Sequence, residues 1–160
     1  MGRLPPRKTL RTPQGAIEYV LSGKGEPAVV LFNGAGVTLE GWSRLYPEIE
    51  SIGTVLAWNR FGAGASTVPR EPQTGAAVVA TARALLASTG LRPPYLLVGH
   101  SLGGLYANLF ARLHPQEVGG VVLLEATHPL DREMLKGQEG QLATVLGKLL
   151  AMPQRLLRPN

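Results

Sequence analysis

The chain has 160 residues and no cysteine, with 44% hydrophobic residues, which allows one globular domain with a real core and excludes disulfides and thiolate metal sites. Its formal charge of +5 sits at the two ends. Arg3, Arg7, Lys8 and Arg11 open the chain and Arg132, Lys136, Lys148, Arg155 and Arg158 close it, while residues 12–130 hold seven cations against eight anions, so a nucleic-acid partner is not expected. Short apolar runs then alternate with helical patterns from end to end, which predicts an α/β fold: a mostly parallel sheet flanked by helices. Residues 9–12 and 16–21 read as strands around the turn Pro13-Gln14-Gly15, with a second turn at Ser22-Gly23-Lys24-Gly25. Residues 28–32 form a buried strand that ends in Asn33-Gly34-Ala35-Gly36. Residues 42–52 are helical in part, with Pro47 limiting continuity, and residues 54–58 are another strand, followed by Gly62-Ala63-Gly64. A helix over 75–88 has Thr74 as its N-cap and Gly90 as its stop. Residues 95–98 form a strand, and Leu102, Leu105, Leu109 and Leu113 recur at helical spacing after it. Residues 118–124 read as a strand fit for burial on both faces, and the pattern from Pro129 onward is helical and broken by Pro153.

The most informative stretch is Val98-Gly99-His100-Ser101-Leu102-Gly103-Gly104, where an apolar strand stops, a serine stands between glycines, and a helix starts at once. That is the layout of a nucleophile elbow, G-x-S-x-G, in which a sharp strand-to-helix turn lifts a serine hydroxyl into solvent. The glycines let strand and helix backbones pass closely and accept dihedrals that a Cβ resists.

Four segments in this order resemble the N-terminal half of an α/β-hydrolase: the strand and Asn33-Gly34-Ala35-Gly36 loop with Trp42, Asn59 to Ser66, Gly99 to Gly104, and Leu123-Leu124-Glu125-Ala126-Thr127-His128-Pro129. The resemblance covers about residues 16–131. It implies Ser101 as the nucleophile of an acyl transfer on a carboxylic ester or related small-molecule acyl substrate, passing through an acyl-enzyme. It also implies an oxyanion hole made by the backbone N–H of Leu102 and that of Ala35, the latter from matching Asn33-Gly34-Ala35 to the family's His-Gly-x loop. Asn33 stands where histidine is usual. Because the donor is backbone, the side chain there is expected mainly to shape the loop.

The remainder of the triad departs from the family. The resemblance places acid and histidine on loops after later strands, whereas this sequence has three histidines and one aspartate. His100 is the x of the elbow and is expected to pack, and His114 precedes Pro115 at a helix end. His128 with Glu125 or Asp131 is the best local acid–base pair, and Asp131 is otherwise expected to open a helix. Residues 1–128 are therefore expected to form the N-terminal part of the core and 129–160 the start of a helical lid. On the order of 100 further residues would complete the usual elements. The chain alone is expected to lack the full triad, and the open sixth-strand edge is expected to favour self-association. The rival reading is a non-catalytic remnant or binding module on the same fold. A dinucleotide site is disfavoured because the Asn33 loop lacks the third glycine of that fingerprint, and no cofactor or metal is expected. The first eight residues lack a signal-peptide core and no run spans a bilayer, so a cytoplasmic location without membrane contact is expected.

Overall fold

The structure is a computed structural model that describes residues 3–127. The expected lid over 129–160, together with His128 and Asp131, lies outside the described residues. Six strands form one sheet: β1 (Lys8–Thr12), β2 (Gly15–Ser22), β3 (Ala28–Phe32), β4 (Thr54–Trp58), β5 (Tyr95–His100) and β6 (Val118–Leu124), in the order β1-β2-β4-β3-β5-β6. β1, β2 and β4 pair antiparallel in turn, and β4, β3, β5 and β6 run parallel. The mostly parallel sheet flanked by helices is thus the fold that the sequence pattern predicts.

Every residue of β3 is buried, as a central parallel strand covered on both faces must be. Its side chains alternate between two layers. Val30 and Phe32 face a layer formed with α2 (Gly75–Thr89) and α3 (Leu102–Leu113), where Val78, Ala82, Leu85, Ala107 and Phe110 pack. Val29 and Leu31 face the other layer, closed by Leu39, Trp42 and Tyr46 from a 3-10 turn (Leu39–Trp42) and from α1 (Tyr46–Glu50).

Local chemistry explains most boundaries. The Thr74 hydroxyl accepts from the Ala77 N–H at 3.1 Å and caps α2, whose end Gly90 marks with a left-handed φ of 74°. The helical region expected over 42–52 is instead two short pieces, and Pro47 sits in the first turn of α1, where its missing N–H costs nothing.

The leucine spacing marks α3, whose most buried residues are Gly103, Gly104, Ala107 and Phe110, while Leu113 is 50% exposed. These small residues let the helix lie close against the sheet. Among the described residues β6 is an open sheet edge, as expected, with Val121, Val122 and Leu123 exposed by 37%, 41% and 50%.

The topology creates a crevice. From β3 the chain leaves toward the layer holding α1, and from the neighbouring β5 it leaves toward the layer holding α3. Adjacent parallel strands whose connections depart to opposite faces open a gap at their carboxyl ends, the place where α/β sheets bind ligands.

Candidate active site

Ser101 stands at that gap. It joins β5 directly to α3 with φ 51° and ψ −121°, a conformation that costs an L-residue on the order of 1–3 kcal/mol and persists only where its surroundings enforce it. Three backbone hydrogen bonds enforce it here. The Ser101 N–H donates to the Leu124 carbonyl at 3.0 Å, and the Ser101 carbonyl accepts from the N–H groups of Gly104 at 2.9 Å and Thr127 at 3.2 Å. The glycines are steric requirements. A Cβ on Gly99 would lie 2.6 Å from the Gly103 carbonyl oxygen and from the Gly104 Cα, so strand and helix could not fold back so sharply.

The loop after β3 lies against this turn. In the parallel register Phe32 is abreast of Gly99, which brings Gly34 beside the serine. A Cβ on Gly34 would meet His100 Nδ1 at 2.9 Å and Ser101 Cβ at 3.3 Å, and one on Gly103 would run into the Phe32 carbonyl. Loop and elbow therefore touch through two glycines, one from each. Ala35, the next residue, is exposed at the mouth of the gap. Among the described residues neither its N–H nor that of Leu102 is engaged in a hydrogen bond, so both donors are open.

Side chains from three other segments hold the loop in place. Asn33 is buried; its amide donates to the Trp58 carbonyl at 3.1 Å and to Asn59 Oδ1 at 3.3 Å, and its oxygen accepts from the Trp42 indole. Asn59, at the carboxyl end of β4 and fully buried, also accepts from the Leu39 N–H at 2.9 Å and donates to Glu18 Oε2 at 2.6 Å. Glu18 on β2 accepts further from the Ala65 N–H and from Arg7, at 2.9 and 2.8 Å. Burial alone would raise the Glu18 pKa, but the donations from Ala65, Asn59 and Arg7 outweigh it and hold the carboxyl below the usual carboxylate range. Arg60, half-buried, donates to the carbonyls of Asn33 and Gly34, the latter at 2.9 Å. Asn33 thus shapes the loop as expected. Asn59 and Arg60 open one of the segments that carry the family resemblance, but no role was assigned to them, and Glu18 was not singled out from sequence.

The other sequence candidates divide. Glu125 follows His100↔Leu124 in the β5–β6 register, which sets it beside Ser101; it is exposed, with φ 43°. The His100 ring packs edge-on to Trp42, at 6.5 Å between centroids, in the packing role expected of it. His114 ends α3, about 18 Å of helix from the serine at 1.5 Å per residue, and packs against Phe110. It is too far to take the Ser101 proton. Among the described residues no cluster of His, Cys, Asp or Glu could hold a metal ion, and no helix is long and apolar enough to cross a membrane. A surface groove of about 580 Å³, lined by Leu10, Ile17, Phe61 and Ala77, lies between the β1–β2 hairpin and α2 and does not include the serine.

Comparison with known proteins places the fold. The chain is 33% identical over 123 residues to the uncharacterized protein Rv2715 of Mycobacterium tuberculosis, and 30% identical over 113 residues to the 2-hydroxy-6-oxo-6-phenylhexa-2,4-dienoate hydrolase of Comamonas testosteroni. The matches cover 76% and 68% of this chain but only 36% and 39% of those proteins, so the chain spans well under half the length of these relatives. A crystal structure of a hydrolase from Pseudomonas aeruginosa superposes with a TM-score of 0.73 at 28% identity, covering 88% of this chain and 52% of that one. The family model described as alpha/beta hydrolase fold matches residues 27–156, and the chain belongs to that family.

Proposed function

We propose that this chain carries the nucleophile and oxyanion half of a serine hydrolase that acts on a carboxylic ester or related acyl bond. The observation that carries the reading is the strained backbone of Ser101 at a glycine-lined junction of β5 and α3, facing a loop with an open N–H. Strain of this kind is retained where it serves a site, and here it presents a hydroxyl at the sheet's switch point. In the reaction the Ser101 oxygen attacks the acyl carbon while a base accepts its proton. Negative charge forms on the carbonyl oxygen, and the Leu102 and Ala35 N–H groups stabilise it; collapse expels the alcohol and leaves the acyl group on Ser101 for water to remove. The hydrolase named among the relatives and the hydrolase fold of the family support this reading.

A serine hydroxyl is a weak nucleophile until a base takes its proton. With His114 too distant and His100 packed on Trp42, the local pair left from the sequence is His128 with Glu125 or Asp131. The test is turnover of an activated ester by a form of the protein that carries the whole triad, compared with its Ser101→Ala and His128→Ala variants. Ser101→Ala is expected to fold normally and lose several orders of magnitude in turnover. Retention of most of the turnover by Ser101→Ala, with contamination excluded, contradicts the reading. Loss in His128→Ala assigns the base to His128, and persistence assigns it to another group.

A further inference from the structure

Arg60 has an unusual setting. It is half-buried, and among the described residues no carboxylate pairs with it. Burial accordingly pulls its pKa below the ordinary arginine value. Its guanidinium is spent on backbone and on a ring: one nitrogen donates to the Asn33 carbonyl, the other to the Gly34 carbonyl at 2.9 Å, and the carbon sits 5.1 Å from the centroid of Tyr106. Tyr106 belongs to α3, the helix whose first N–H is that of Leu102. A single side chain from the end of β4 therefore grips the loop carrying one open N–H and leans on the helix carrying the other.

We propose that Arg60 is a positioning residue that aims the Ala35 N–H into the oxyanion site and fixes its distance from the Leu102 N–H. The proposal rests on the serine-hydrolase reading above. The Gly34–Ala35 peptide is trans, so its C=O and N–H point in opposite directions. Pinning the Gly34 carbonyl to the guanidinium therefore turns the Ala35 N–H away from Arg60. A second bond to the Asn33 carbonyl stops the preceding peptide from rotating, which makes the two-carbonyl grip a lock on direction. The fork is what arginine offers and lysine does not: two planar donors, with a face left to stack on the ring. An ammonium could satisfy one carbonyl and would release the other. Without the lock, the loop would still be tied through Asn33 and Asn59, so the fold survives while the donor loses its aim.

The test uses wild type, Arg60→Gln, Arg60→Lys and Ser101→Ala, with two readouts. The first is kcat and KM on an activated ester. Misplacement of a catalytic group by about 1 Å can cost 100-fold, so Arg60→Gln is expected to lower kcat by about 30- to 100-fold with KM within about twofold, and Arg60→Lys to fall between it and wild type. The second, independent of turnover, is the 15N–1H signal of Ala35, expected to move in Arg60→Gln while the signals of α2 stay in place. Wild-type kcat in Arg60→Gln, or an unmoved Ala35 signal, overturns the proposal. Should Ser101→Ala keep wild-type turnover, the hydrolase reading falls by itself, and the Ala35 signal alone then decides whether Arg60 holds the peptide.

Discussion

The elbow and the loop opposite it meet at one gap but are built by different means. Backbone alone makes the elbow. Ser101 is held by hydrogen bonds to Leu124, Gly104 and Thr127, and Gly99 and Gly103 permit the approach. Side chains make the loop: Asn33, Asn59, Glu18 and Arg60 converge on it from β2, from the ends of β3 and β4, and beyond. A site that needs one part fixed in direction and another fixed in distance can use both solutions. The elbow fails when a Cβ is added, and the loop fails when a polar atom is lost.

The largest effect is expected where the two constructions touch. In Gly103→Ala the new Cβ would run into the Phe32 carbonyl and lie 2.8 Å from that of Asn33. It should separate elbow and loop and cost about 3 kcal/mol, the upper end of ordinary overpacking, read as a lower denaturant midpoint at unchanged slope. An unchanged midpoint would mean that the close approach is not what fixes the elbow.

Asn59→Ala attacks the loop alone. It strips a donor from the buried Glu18 carboxylate and an acceptor from the Asn33 amide and the Leu39 N–H. Groups stranded in this way cost about 1–3 kcal/mol, so a loss of about 2 kcal/mol is expected, with the elbow's amide exchange little changed. Equal loss of protection at Ser101 and at Gly34 would show that the two regions are one cooperative unit.

Why the elbow was legible in the sequence and the loop's support was not follows from this difference. The side-chain requirements of the elbow, its serine and glycines, lie within six residues, Gly99 to Gly104, in an apolar strand-to-helix context, and all six strands were likewise marked by local runs. Glu18 reaches Asn59 across 41 positions and Ala65 across 47, and Arg60 reaches Gly34 across 26. No local pattern records such partners. The buried face of α3 is less legible for a related reason: it carries Gly103, Gly104 and Ala107, which hydrophobic periodicity underweights although they let the helix approach the sheet.

Acid should affect the loop before the elbow. The folded-state pKa of Glu18 is depressed, so its contribution to stability is present above the unfolded carboxylate value near 4.3 and is lost as pH falls through the lower folded value. Below about pH 4 the wild type should lose stability that Glu18→Gln lacks at every pH. Parallel pH curves for the two proteins would remove Glu18 from the account. The smallest effect should come from a site in neither region. Thr74→Ala removes the α2 cap at a cost of about 1 kcal/mol and should leave Ser101 reactivity unchanged.

The central claim, that the strained serine is the nucleophile, is tested most directly by where a fluorophosphonate lands. In a form of the protein that carries the whole triad, peptide mass spectrometry after exposure to the probe should find the adduct on Ser101 ahead of every other serine, and in Ser101→Ala that preference should vanish rather than shift to a neighbour. Adducts spread evenly over surface serines such as Ser43, Ser51 and Ser88, with none favoured at Ser101, would contradict it.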